Sequence, residues 1–283
     1  MKLRKTIALW ASVSASLCFA DGVRAANSAT APDGRKTGME CVAHRGYWNA
    51  EIPENTVEAI KRAYDFGADW VETDFNLMPD GKMLCFHDPK TRDRTMKPPF
   101  HVPTLEEVLA AVPKDRHIQC EIKTYGKEYA AKFDAAVKAA GLTPENIIVS
   151  CFKPDVLKDF KSKMPQYRTL WLIGLKGLRD SHQDTNIDNL IARAKEIGVF
   201  SMCPGANGAY DAKFSRADAD KIRAAGFSFR LYGVNSSIKL AYAAELGAEA
   251  FTCNYYEDAF QWAKKKGVKL NPPRKKKVNP NER

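Results

Sequence analysis

Eight short β-like runs separated by helical patterns constrain this chain more than any other feature of its sequence. The runs are predicted at 40–44, 70–75, 117–122, 147–151, 168–173, 199–203, 227–233 and 250–253. Helical stretches such as 154–163 and 187–197 lie between most of them, and residues 104–107 have the sequence of a capping box that opens another helix. Alternating strands and helices predict a parallel sheet covered by helices, and eight units of this kind indicate a closed TIM (β/α)8 barrel over residues 38–263. The alternative is an open doubly wound sheet, but no glycine-rich phosphate loop follows any run.

One further apolar run, at 82–86, does not belong to a strand–helix unit. Only a few residues, Asp80-Gly81 among them, separate it from the second run, whereas a parallel crossover needs about a dozen or more. Asp-Gly between apolar runs is a hairpin signal. We therefore predict a short hairpin after the second strand, with a return limb that brings His87 back near the level of Asp74.

Acidic side chains cluster at the carboxyl ends of the predicted strands, where the active sites of TIM barrels lie. Glu72 and Asp74 are two residues apart and point to the same face of their strand, and Glu121 lies on the neighbouring strand. Three converging carboxylates repel one another unless a cation neutralises them, and oxygen ligands favour Mg²⁺ or Ca²⁺ over Zn²⁺. The sequence therefore predicts one divalent cation on these residues. The alternative is that the acids pair with Lys123 or Arg45, or lie outside the barrel.

Two histidines accompany this acidic cluster, and the combination is typical of a phosphoryl-transfer site. His44 ends the first run and His87 ends the hairpin. One would take a proton from the nucleophile and the other would give one to the leaving alcohol, since the pKa of histidine lies near neutrality. Arg45 and the metal would hold the nonbridging phosphoryl oxygens. The other histidines lack such partners and are assigned to the surface or to packing: His101, His117 and His182.

The net charge of +10 suggests a nucleic-acid-binding protein until its location is considered. Residues 1–24 carry +3 and residues 264–283 carry +8, which leaves −1 for the body between them. Nucleic acid is therefore not an expected partner. We predict that residues 264–283 form a basic, flexible tail with, at most, a weak attraction to an anionic membrane surface.

The first 25 residues have the pattern of a signal peptide. Three basic residues precede an uncharged apolar stretch from Thr6 to Ala20, and small residues follow it. The alternative is an uncleaved membrane anchor, but the stretch is shorter than the ~20 residues that span a bilayer. Export to the periplasm or the exterior is expected. Six cysteines lie beyond this segment, each in or beside a β-like run, and we expect mostly free, buried thiols, with one or two disulfides as the alternative.

Several ordered motifs resemble those of the glycerophosphodiester phosphodiesterase family, within the superfamily of phosphatidylinositol phospholipase C-like phosphodiesterases. They are His44-Arg45-Gly46, Pro53-Glu54-Asn55-Thr56, Gly67-Ala68-Asp69, Glu72-x-Asp74, Asp80-Gly81, His87-Asp88, Pro103-Thr104-Leu105-Glu106-Glu107 and Glu121-Ile122-Lys123. The match is dense from Val42 to Lys123 and thinner as far as about Phe260.

The resemblance implies a TIM barrel that hydrolyses glycerophosphodiesters to sn-glycerol 3-phosphate and an alcohol. It places Ca²⁺ or Mg²⁺ on the three acidic residues and implies that His44 and His87 are the acid and base. It places Arg45 on the phosphate and Lys123 beside it. The alternatives are a lipid phosphodiesterase of the sphingomyelinase D or phospholipase C type and a non-catalytic barrel that binds phosphodiesters.

The chain departs from the family pattern at four places. The inserted subdomain that usually roofs the pocket is reduced to the short interval 88–103. The other three departures lie at 151–152, 232–235 and 253–256, and we expect all four to lie away from the metal and the histidines. Phe152 and Tyr232 are candidates for the leaving-group pocket, with core packing as the alternative for both.

Overall fold

The computed structural model describes residues 38–95, 98–175 and 186–274. Within these ranges the strands form a single sheet. They are β1 (Glu40–His44), β2 (Trp70–Leu77), β3 (Met83–Cys85), β4 (His117–Thr124), β5 (Ile147–Cys151), β6 (Arg168–Ile173), β7 (Ser201–Pro204), β8 (Ser228–Leu231) and β9 (Ala250–Cys253).

Helices follow most of the strands. In chain order they are α1 (Val57–Phe66), α2 (Pro89–Thr95), α3 (Leu105–Ala110), α4 (Tyr129–Ala139), α5 (Pro154–Lys163), α6 (Ile187–Ile197), α7 (Ala206–Asp211), α8 (Arg216–Ala224), α9 (Ser237–Glu245) and α10 (Tyr256–Lys266). The capping box predicted before α3 is present, because Thr104 and Glu107 bond to each other's backbone N–H groups. None of the helices in the described ranges has the length and apolarity needed to cross a membrane.

The sheet closes on itself through β1. This strand pairs in parallel with β2, where Val42 is opposite Trp70, and with β9, where Glu40 is opposite Ala250. The remaining parallel pairs run β2, β4, β5, β6, β7, β8 and β9 around the ring. The predicted TIM barrel is therefore confirmed, with β3 outside the parallel ring.

The core has two layers, as expected for such a barrel. A small apolar cluster that includes Val42, Leu170 and Leu172 fills the interior, and a larger one lies between the strands and the helices. The cysteines at 41, 85, 120, 151, 203 and 253 are all buried and unpaired. Buried thiols of this kind behave as small apolar groups, as the sequence predicted.

The predicted hairpin is formed by β2 and β3, which run antiparallel with Phe75 opposite Cys85. The first part of β2 pairs with β1, and its last part pairs with β3 on the same edge. The backbone N–H of Phe86 donates to the Asp74 carbonyl at 3.1 Å, and the Asn76 side chain donates to the Phe86 carbonyl at 2.6 Å. These bonds bring His87 back to the level of Asp74, as predicted.

Residues beyond the predicted barrel boundary pack against its amino-terminal end. Helix α10 continues to Lys266, so the predicted tail boundary at 264 lies inside a helix. Beyond the helix, Leu270 bridges to Met39, and the Arg274 guanidinium lies 3.0 Å from Asp69. This segment lies against the barrel because it makes specific backbone and ionic contacts, which its charge composition does not reveal. Residues 275–283 of the predicted tail and the predicted signal peptide, 1–25, lie outside the described residues.

Candidate active site

Three buried carboxylates meet at the carboxyl ends of β2 and β4. Glu72, Asp74 and Glu121 each offer an oxygen, and these oxygens lie within 4.8 Å of one another. The strand register explains the meeting: Asp74 is directly opposite Glu121, and Glu72 is two residues before Asp74 on the same face. The structure thus brings together the three residues predicted to hold a metal.

The protonation behaviour of the three acids reflects their crowding. Burial and the neighbouring charge of Asp74 raise the pKa of Glu72 well above its ordinary value and that of Glu121 to about 7. Burial also acts to raise the pKa of Asp74, but Arg45 and Lys123 outweigh it and hold that pKa below its usual range. The cluster therefore favours any added positive charge that would let all three acids ionise together.

The basic residues predicted as alternative partners do contact the acids. Arg45 Nε lies 3.2 Å from Asp74 Oδ2, and Lys123 Nζ lies 2.9 Å from Glu121 Oε1. Arg45 is shared, however, since its Nη1 donates to Glu54 Oε1 at 2.8 Å. Two cations thus serve four carboxylates, and Asp74 Oδ1 is buried without a hydrogen-bond partner. An all-oxygen set with residual negative charge fits one hard divalent cation.

The turn after β1 aims Arg45 into the site. Arg45 has a φ of 61°, and its backbone N–H donates to the Glu72 carbonyl at 2.8 Å. Gly46 follows with a φ of 87°, and a Cβ there would lie 2.6 Å from the Ala59 backbone. Gly46 is therefore required by a left-handed turn that packs closely against α1.

Asn55 is a site residue to which sequence reasoning assigned no role. Its side-chain Nδ2 donates to Asp74 Oδ2 at 2.9 Å, and its Oδ1 accepts the Asp74 backbone N–H at 3.2 Å. Asn55 is buried and has a φ of 60°, which asparagine tolerates better than most residues. The signal available was its place in Pro53-Glu54-Asn55-Thr56, where Thr56 caps α1.

His44 lies beside this cluster. Its Nε2 is 3.6 Å from Glu72 Oε2, and its Nδ1 is hydrogen-bonded to Asn254 Oδ1. Burial and the Arg45 charge lower the pKa of His44 to about 4, so the ring is neutral at pH 7. A neutral ring that donates from Nδ1 to Asn254 leaves the Nε2 lone pair facing the cleft.

Asn254 corrects one expectation. The departures from the family pattern were expected to lie away from the histidines, but Asn254 belongs to one of them and contacts His44. Closure of the barrel is the reason: β9 pairs with β1, so the residue after β9 lies beside the end of β1. Asn254 is itself held by its backbone N–H, which donates to Asn235 Oδ1 at 2.8 Å.

His87 reaches the same cleft from the hairpin. Its Nδ1 lies 2.7 Å from Asp88 Oδ2, and Asp88 Oδ1 accepts the Lys90 backbone N–H at 2.9 Å. The carboxylate fixes the ring through Nδ1, which leaves Nε2 for a substrate. The other two histidines in the described ranges are placed as predicted: His101 is exposed beside Glu107, and His117 stacks on Trp70. His182 lies outside those ranges.

A cleft of about 170 Å³ joins these groups. Its lining consists of His44, Arg45, Glu72, His87, Gln119, Glu121, Phe152, Leu172, Tyr232 and Thr252. Phe152 and Tyr232 form its apolar wall and meet edge to face at 5.4 Å. Both therefore line the same cleft as the histidines, as expected of candidates for the leaving-group pocket, although their segments were expected to lie away from the histidines. Phe152 is 40% exposed, which excludes a core-packing role for it.

Solved structures share this fold. A glycerophosphodiester phosphodiesterase from Thermotoga maritima aligns with a TM-score of 0.62 and 22% identity over 80% of this chain and 99% of that chain. A phosphodiesterase from Oleispira antarctica, solved in complex with the product sn-glycerol-3-phosphate, aligns with a TM-score of 0.63 and 18% identity over 80% and 96% of the two chains.

Two curated relatives are named glycerophosphodiester phosphodiesterase. One from Caldanaerobacter subterraneus is 31% identical over 156 residues, which is 45% of this chain and 63% of that protein, just under two thirds of its length. One from Bacillus subtilis is 26% identical over 266 residues, or 79% and 86% of the two proteins.

A family model extends over most of the barrel. The model of the glycerophosphoryl diester phosphodiesterase family matches residues 44–99 and 93–258, which is more than half of the chain. The matched residues begin at His44 and include the carboxylate cluster, His87 and the aromatic wall of the cleft. The chain belongs to the glycerophosphoryl diester phosphodiesterase family.

Proposed function

We propose that this protein hydrolyses glycerophosphodiesters to sn-glycerol 3-phosphate and an alcohol, with one bound Ca²⁺ or Mg²⁺. The observation that carries the proposal is the buried cluster of Glu72, Asp74 and Glu121, of which Glu72 and Glu121 line one cleft together with two imidazoles. Family membership supports the reaction class. The product bound to the Oleispira antarctica relative is consistent with it.

The charged residues would bind and orient the phosphodiester. A divalent cation on the three carboxylates would supply positive charge to a nonbridging oxygen. Arg45 lines the cleft and keeps its side chain aligned through Glu54 and Asp74. It would present its remaining N–H groups to the second nonbridging oxygen. Lys123 lies 3.7 Å from Asp74 Oδ1 and adds positive charge beside the phosphate.

The two histidines would handle protons. Water adds to phosphorus and loses a proton to one imidazole, and the bond from phosphorus to the alcohol oxygen breaks. The other histidine starts protonated, as an imidazolium, and gives that oxygen its proton, so the alcohol leaves neutral and the ring becomes a neutral imidazole. Asn254 on His44 and Asp88 on His87 each occupy Nδ1 and direct Nε2 to the cleft.

One assay separates this function from its two alternatives. Glycerophosphocholine should be turned over, activity should vanish in excess EDTA after dialysis, and added Mg²⁺ or Ca²⁺ should restore it. Full activity after exhaustive chelation would contradict the metal assignment. Turnover of sphingomyelin or a lysophospholipid in its place would identify a lipid phosphodiesterase. Binding without turnover of any ester would identify a non-catalytic barrel.

We also propose that residues 1–25 direct export to the periplasm or the exterior. The basic start and the uncharged apolar stretch support this. Fractionation of cells that produce the full chain, with mass spectrometry of its amino terminus, tests it. Retention of the first 25 residues in a cytoplasmic fraction would refute the proposal.

A further inference from the structure

A second cavity adjoins the catalytic cleft at the carboxyl ends of β6, β7 and β8. It measures about 290 Å³. Its lining consists of Gly174, Leu175, Gly205, Ala206, Asn207, Gly208, Asp211, Tyr232 and Gly233. Tyr232 also lines the catalytic cleft, so the two spaces share a wall.

The shared wall is held in place from several sides. The Tyr232 backbone N–H donates to the Pro204 carbonyl at 3.2 Å, and its carbonyl accepts the Ala206 N–H at 2.8 Å. Its ring lies directly on Gly205, where a Cβ would be 2.6 Å from the ring carbon Cζ and from the hydroxyl. Phe152 packs on the ring edge to face. A rigid aromatic ring therefore separates the phosphate end of the cleft from the second cavity.

The size of the catalytic cleft indicates that a diester extends beyond it. Small-molecule pockets usually measure about 300–1,000 Å³, and the catalytic cleft is well below that range, whereas the two cavities together lie within it. The groups that would hold phosphate lie on β1, β2 and β4, and the second cavity lies across the ring on β6, β7 and β8. The half of the diester that extends past Tyr232 therefore meets this cavity.

The charge of the second cavity differs from that of the cleft. Among the described residues that line it, Asp211 is the one charged residue, and it stands at the end of α7. A carboxylate together with an aromatic ring is a suitable environment for an ammonium group. We propose, on the basis of the function proposed above, that this cavity receives the alcohol half of the diester and favours alcohols that carry an ammonium, such as choline or ethanolamine.

Substitution of Asp211 tests the proposal through a ratio of two substrates. The measured quantity is kcat/KM for glycerophosphocholine divided by kcat/KM for glycerophosphoglycerol. Asp211→Asn should lower this ratio about threefold to fivefold, the scale expected for a solvent-exposed charge. Asp211→Lys should lower it further, to about a tenth of the wild-type value, because repulsion replaces attraction.

Asp155→Asn is the matched control. Asp155 lies in the first turn of α5, its side chain is 88% exposed and pairs with Arg193, and it lines neither cavity. The ratio of the two kcat/KM values for Asp155→Asn should equal that of the wild type. An unchanged ratio in both Asp211 variants would overturn the ammonium subsite while leaving the hydrolase function intact. Absence of turnover of both esters by the wild-type protein would overturn the proposed function itself.

Discussion

At the scale of single residues, the candidate metal site depends on the negative charge of its three buried carboxylates. Glu121→Gln removes one charge and should weaken Mg²⁺ or Ca²⁺ binding, so more metal is needed for half-maximal activity. We expect the metal concentration needed for half-maximal activity to rise by at least about tenfold, which corresponds to a loss of ~1.4 kcal/mol of binding free energy. Metal titration of activity together with calorimetry measures this. Glu106→Gln, on the exposed face of α3, is the control, and an equal response in both variants would contradict the assignment.

The histidines are expected to act on protons and to contribute little to folding. His44→Ala and His87→Ala should each lower kcat by about 10²–10⁴-fold, the usual contribution of a general acid or base. Thermal unfolding should remain cooperative, because both rings border the cleft. His101→Ala and His117→Ala should retain activity, and the same is predicted for His182→Ala. A fully active His87→Ala protein would show that the hairpin does not deliver this residue to the chemistry.

Asn55 offers a test of positioning, since it binds Asp74 at two points without lining the cleft. Asn55→Ala loses both bonds and puts at a φ of 60° a residue that tolerates this conformation less well than asparagine does. Unfolding free energy should fall by about 1–3 kcal/mol, and metal affinity should fall with it. Asn55→Gly relieves the backbone strain alone. It should recover part of the stability in urea titrations and none of the metal affinity, and recovery of both would show that Asn55 serves only the backbone.

At the scale of elements, the amino-terminal end of β1 is tied to the segment after α10. Glu40 accepts a hydrogen bond from Asn271 Nδ2 at 2.6 Å, and burial raises the pKa of Glu40 to about 7. The folded protein therefore holds a proton that the unfolded chain releases near pH 4.5. The stability contributed by this residue falls as pH rises from about 4.5 to 7 and then stays constant.

Glu40→Gln removes this titration and keeps an oxygen for Asn271. The variant should be more stable than the wild type at pH 8, by about 1–3 kcal/mol, and the difference should shrink toward pH 4.5. Melting temperatures measured across this range test the sign. A stability difference that grows at low pH would contradict the burial of an uncompensated carboxylate at Glu40.

At the scale of the whole molecule, the reduced roof determines how substrates are enclosed. Between β3 and α3 the described residues include only α2, seven residues long, at the place of the family's inserted subdomain. Without a roofing subdomain, and with a preference of only about threefold to fivefold from the second cavity, kcat/KM for choline, ethanolamine, glycerol and inositol esters should agree within roughly tenfold, or ~1.4 kcal/mol. Diesters without the glycerol unit, such as bis(p-nitrophenyl) phosphate, should react far more slowly. A preference above a hundredfold for one alcohol would show that another element closes the mouth.

The barrel and most of its site could be predicted because they depend on local and periodic signals. Alternating runs of β and α type identify strands and helices, and the period of two along β2 places Glu72 and Asp74 on one face. Asp80-Gly81 predicts the turn of the hairpin. Because few residues separate its two strands, the return strand brings His87 to the level of Asp74. These predictions need only the chain's own geometry over a few residues.

The tertiary structure alone decided contacts between residues far apart in sequence. Asn254 meets His44 because the ring closes between β9 and β1, and Asn55 clamps Asp74 because a left-handed turn folds it back over β2. Leu270 and Arg274 are held at the barrel's base by partners near residues 39 and 69, although their own composition is that of a solvated tail. Such contacts depend on where closure places each strand end, and no local pattern encodes that position.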